Sequence, residues 1–176
     1  MMIVEMCVTG RMRDRAKQRA GNMGVPPNSI TGGQGSYAGF IGEYVVLNYL
    51  YGVDRVEPDD TMKYDIALGR FTADIKTKRV KSSPKPNYQC SVTIKSLAHQ
   101  RPHVYIFVRV DMITYRRAWI LGTISRKRLL KDGVRMMAGE YDSDNKYTCR
   151  EDCINIPISQ LNPISNLKVW LSLGAN

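Results

Sequence analysis

The chain has 176 residues, 43% hydrophobic and 24% charged, as expected of a soluble globular protein forming a single domain with a real core. No apolar run approaches the roughly 20 residues of a membrane helix, and the first residues lack the layout of a secretory signal, so a cytoplasmic location is expected, the host cytoplasm if the chain is phage-encoded. Twenty-six Lys and Arg against 16 Asp and Glu leave a net charge of +10 and a pI near 9.6, favouring a polyanionic partner, and four scattered cysteines argue for reduced thiols over a disulfide framework.

In chain order, Arg11 to Ala20 (RMRDRAKQRA) predicts a short basic helix ended by Gly21, serving as a solvated face or a phosphate-contacting arm. Residues 21–36 are dense in Gly, Pro, Asn and Ser and predict a flexible loop. From Tyr37 to Tyr51 the apolar residues recur too densely for a surface helix, so a largely buried helix is expected, stopping at Gly52. Glu43 is its anomaly: Val46, Leu47 and Leu50 lie three, four and seven residues on, so the carboxylate leaves an apolar face. A buried carboxylate must be paired or bound to metal.

A short strand over Val53 to Val56 and a turn at Pro58, Asp59 and Asp60 lead into Lys63 to Arg79, KYDIALGRFTADIKTKR. Gly69 and Arg70 interrupt two alternating runs and predict a two-residue hairpin turn with positive φ at Gly69. Leu68 then faces Phe71, and counting outward sets Asp65 opposite Asp74. Like charges so opposed are destabilising. Strand alternation puts Lys76 on the surface of Asp74, with Ala73 and Ile75 on the other.

Beyond Arg79 lies a polar loop, VKSSPKPN, carrying Lys81 and Lys85. Tyr88 to Ile94, His103 to Val110 and Ala118 to Ile124 predict further strands, giving a sheet of about five. His99 and His103 fall in a turn with no acidic or thiol ligand at metal spacing, and Cys149 and Cys153 form a pair with no second pair nearby, so neither makes a zinc signature. Ser125 caps a helix RKRLLKD ending at Gly133, and short strands and turns follow. The expected layout is a basic helix and flexible loop over 1–36, a core over 37–125, and a C-terminal helix with short strands over 126–176.

The order of a helix glutamate, Glu43, then Asp65, then Asp74-Ile75-Lys76 resembles the PD-(D/E)xK nuclease superfamily, with its restriction-endonuclease-like fold, and especially its small phage-type and Holliday-junction-resolvase-like members. The resemblance covers roughly Tyr37 to Ser125; Tyr64 stands where the motif has proline, and Asp74 where glutamate is commoner. It implies an α/β fold with a central mixed sheet flanked by helices, and a metal-dependent endonuclease acting on duplex or branched DNA, RNA not being excluded. Oxygen-ligated Mg²⁺, with Mn²⁺ as a substitute, would neutralise the attacked and leaving oxygens of a phosphodiester. Asp65 and Asp74 would hold it; the resemblance adds Glu43, directly or through water, and the Ile75 carbonyl. Lys76 would orient water and stabilise developing charge, while Lys78, Arg79, Lys81 and Lys85 would follow the DNA backbone or simply form a solvated strand end. Two-strand cutting would want two active sites, as a homodimer supplies. Two other readings are a non-catalytic nucleic-acid-binding protein on the same fold and a phage structural or interaction protein.

Overall fold

The structure is a computed structural model in which residues 3–24, 34–52, 64–142 and 147–172 are described. In chain order these form β1 (Val4–Cys7), α1 (Gly10–Met23), α2 (Gln34–Tyr51), β2 (Ile66–Leu68), β3 (Phe71–Val80), β4 (Gln89–Thr93), α3 (Ile94–His99), β5 (Val104–Asp111), β6 (Arg117–Ser125), α4 (Arg126–Asp132), β7 (Val134–Met136), β8 (Tyr141–Asp142), β9 (Tyr147–Thr148), β10 (Cys153–Pro157) and α5 (Ile164–Ser172).

The fold is α/β, with a central mixed sheet of five strands in the order β1-β6-β5-β3-β2. Strands β3 and β5 run parallel, and the other neighbours are antiparallel. A parallel pair needs a crossover, here made by the loop after β3, β4 and α3. Strand β5 lies between β3 and β6 and is covered on both faces, which explains its nearly unbroken apolar run. On one face, Ala73, Ile75, Ile106 and Val108 pack against Ile41 and Val45 of α2, with Met12 and Ala16 of α1 behind. On the other, Tyr105, Phe107 and Leu121 meet Cys90 and Val92 of β4, Ile156 of β10 and Leu129 of α4.

Several local expectations hold. Helix α2 ends at Tyr51 with Gly52 at φ 69°, and Ser125 caps α4 by accepting from the Arg128 amide. Others change. Helix α1 continues past Gly21 to Met23, and the loop after it overlaps α2 from Gln34. Strand β4 is half-buried as its alternation requires, but it belongs to a second sheet, β4-β10-β7, because its partner is β10, while β1 supplies the fifth central strand. His99 ends a helix rather than opening a turn, since Thr93 caps α3 by accepting from the Ser96 amide. The C-terminal stretch adds α5, whose Ile164, Leu167 and Leu171 share the core. Residues 25–33, the strand expected over Val53 to Val56 and the turn at Pro58, Asp59 and Asp60 lie outside the described residues.

Helix α2 lies close against β3: a Cβ at Gly42 would overlap the Thr77 side chain. Only the missing side chain permits this approach. Replacing Gly42 with Ala is expected to destabilise the fold by about 1–3 kcal/mol through overpacking, read as a lower urea midpoint with unchanged slope.

Candidate active site

The hairpin that organises the sequence forms with the expected turn and register. Gly69 has φ 60° and Leu68 pairs with Phe71, Ala67 with Thr72 and Ile66 with Ala73. The ladder then stops. Asp65 donates its amide to the Ala73 carbonyl at 3.0 Å, and its Oδ2 accepts from the Ile75 amide at 2.5 Å. Asp65 therefore bends along the edge of β3 instead of standing directly across from Asp74, because a strand amide left without a ladder partner beyond β2 captures its carboxylate.

The two acids remain neighbours. Burial, and then the Asp74 charge, push the Asp65 carboxyl up to about 6, against the lowering influence of the Ile75 amide, Lys76 and Arg19. Asp74 is 1% exposed and lies 2.7 Å from the Lys76 ammonium through Oδ2. That pair is close but not aligned as a hydrogen bond, so Oδ2 remains without a hydrogen-bond partner, as do the nearby buried Tyr105 hydroxyl and Arg126 Nε. Burial and the Asp74 charge raise the Tyr105 hydroxyl to about 12.

Lys76 also donates to Ser96 Oγ and Gln100 Oε1, both at 2.9 Å, and Ser96 Oγ is 2.7 Å from Gln100 Oε1. These two residues, carried by α3 and its C-terminal end, are missing from the sequence reading. Their four-residue separation beside the Thr93 cap is the only local signal they leave.

Glu43 occupies the buried position expected, at 8% exposure, but has a different neighbour: its Oε2 accepts from Arg19 Nη1 at 2.6 Å. Arg19 also lies over the Phe40 ring. Among the described residues, no group of three or more His, Cys, Asp or Glu side chains is placed to hold a metal. Asp65 and Asp74 are brought together, and Glu43 is ion-paired with Arg19, whose charge also reaches Asp65.

This smaller set still suits a hard cation. Mg²⁺ takes one or two carboxylates and keeps several waters. The Ile75 amide points to the Asp65 side, and in an extended residue the carbonyl points the same way, so the Ile75 carbonyl faces that edge too.

Lys78 follows Lys76 on the same face and donates to Ser91 Oγ at 2.8 Å, whereas Arg79 lies on the opposite face near the Tyr115 hydroxyl, 3.4 Å away. Lys81 and Lys85 are exposed on the following loop. Cys149 and Cys153 are free, with sulfurs 3.3 Å apart.

The raised Asp65 carboxyl has a definite sign. Its folded value, about 6, lies above the usual 3.8, so the fold prefers the protonated acid and loses stability as pH rises between those values. Asp65→Asn is expected to stabilise the metal-free protein at pH 8 by on the order of 1–2 kcal/mol, allowing for solvent screening at this partly exposed group. The gap should open between pH 4 and 6 in thermal melts and stay constant above. Comparison with known proteins leaves this geometry to stand by itself: no protein-family model, curated protein or solved structure matches the chain.

Proposed function

We propose that the chain is a Mg²⁺-dependent nuclease that hydrolyses DNA phosphodiester bonds, an endonuclease with a PD-(D/E)xK-like core. The observation that supports it is the meeting of Asp65, Asp74 and Lys76 at the edge of β3 just past the end of β2. A fold that keeps two acids close enough to repel, one buried with an oxygen lacking a hydrogen-bond partner, carries a cost that a bound cation would remove.

Mg²⁺, or Mn²⁺ in its place, would supply the positive charge that attack on a phosphodiester needs. Asp65 and Asp74 would hold it, together with the Ile75 carbonyl. Lys76 donates hydrogen bonds to Ser96 and Gln100 and forms an ion pair with Asp74. Such a lysine is built to present charge at a fixed place, here toward the phosphate as negative charge develops. Ser96 and Gln100 position it from α3. Arg19 neutralises Glu43 and contributes positive field at Asp65. A non-catalytic nucleic-acid-binding reading draws on the same ion pairs, since Lys76 and Arg19 already compensate Asp74 and Glu43.

The deciding measurement is cleavage of linear, flapped, branched and single-stranded DNA, and of RNA, with Mg²⁺ or Mn²⁺. Asp74→Ala and Lys76→Ala are each expected to lower the rate ~100-fold or more with the circular dichroism spectrum kept. Gln100→Ala is expected to cost roughly tenfold. Undiminished cleavage by both Asp74→Ala and Lys76→Ala would refute the site, and nucleic-acid binding that persists in EDTA with no cleavage of any substrate would favour the binding reading.

A further inference from the structure

Beyond the acids, β3 carries Lys78 into a cleft of about 410 Å³. Its rim holds three cations, Lys78, Arg79 and Arg150, against one acid, Glu151, and Ala38 and Met112 supply apolar wall. Lys78 is solvent-exposed as a residue, and its ammonium donates to Ser91, which also lines the cleft. Withdrawal from water, and then the Arg109 guanidinium, lower its pKa to about 8.

Arg109 is the register partner of Lys78 on β5, is 4% exposed and donates to the Gln89 carbonyl at 2.7 Å. Among the described residues no carboxylate lies within ion-pair distance of either cation. Buried charges are ordinarily paired. Arg109 is buried behind Lys78, and with no acid beside either of them the positive charge at this wall of the cleft favours an anion.

The position of that charge follows from the strand. Lys78 is two residues beyond Lys76 on one face, about 6.6–6.8 Å along β3, close to one nucleotide step of an extended strand. A cleft of this volume lies in the range for one small ligand, which suits a single nucleotide and is too small to enclose a base-paired helix.

We infer that this cleft binds the phosphate and nucleotide next to the scissile position of an unpaired nucleic-acid strand, so that the substrate is single-stranded where it leaves the acids. The inference rests on the nuclease reading for its direction along β3. Its test is therefore made on binding, without cleavage.

The experiment measures fluorescence anisotropy of labelled (dT)15 and of a blunt 15-base-pair duplex in EDTA, over a salt series. The wild-type chain is expected to bind (dT)15 more tightly than the duplex. Lys78→Gln should weaken (dT)15 binding roughly fivefold to tenfold and make the salt slope shallower by about 0.7, the value for one phosphate contact on a single strand. Because it relieves repulsion with Arg109, Lys78→Gln should keep or raise the thermal midpoint, so lost binding cannot be assigned to unfolding. Lys131→Gln, at the exposed end of α4, serves as a control expected to bind as wild type does. Equal (dT)15 affinity for wild type and Lys78→Gln would overturn the inference, as would an equal loss on the duplex, which marks a general basic surface. Asp74→Ala separates the two readings: cleavage that survives this change refutes the nuclease site and leaves the binding result standing.

Discussion

The hydrogen bond from the Ile75 amide to Asp65 Oδ2 governs the geometry of the β2–β3 hairpin. It takes the place of a ladder bond, so β2 ends after three pairs and the backbone of β3 beyond Ala73 is served by a side chain instead of a strand. The same bond draws Asp65 along the strand edge to a position where it meets the field of Asp74, and it offsets part of the repulsion that results. Hairpin length, strand edge and carboxylate spacing are thus three outcomes of one contact.

Strand β3 distributes chemistry by parity. Asp74, Lys76 and Lys78 leave one face, where α3 and β4 provide hydroxyl and amide partners, while Ala73 and Ile75 join the core beneath α2. The parallel partner β5 sets what lies beside each of them: Tyr105 by Asp74, Phe107 by Lys76 and Arg109 by Lys78. Charge along the strand passes from acidic to basic within five residues. An elongated anion lying along it would meet Asp74 at one end and Lys78 at the other.

How much of this was legible in the sequence depended on the range of each interaction. The Gly69 turn, the Gly52 stop and the Ser125 cap are decided by residues within a few positions of one another, and all three appear as read. The parity of β3 and the burial of Glu43 were legible for the same reason. The partners were not. Arg19 reaches Glu43 from another helix, and Ser96 and Gln100 reach Lys76 across the β3 to β5 crossover, so nothing near Glu43 or Lys76 announces them. Periodicity marked β4 as half-buried but is silent on which sheet buries it, and the end of the ladder at Ile66, one residue short of Asp65, was hidden by assuming that strand pairing continues to the last alternating residue.

The close approach of α2 to β3 ties two positions that are far apart in the chain. Thr77 sits between Lys76 and Lys78 with its hydroxyl buried against Gly42 and lacking a hydrogen-bond partner. Position 42 gains a side chain without strain once position 77 has lost its own, whereas the reverse order meets the Thr77 hydroxyl. Along any line of descent these two sites are therefore expected to change as a pair, with the smaller residue at 77 arriving first.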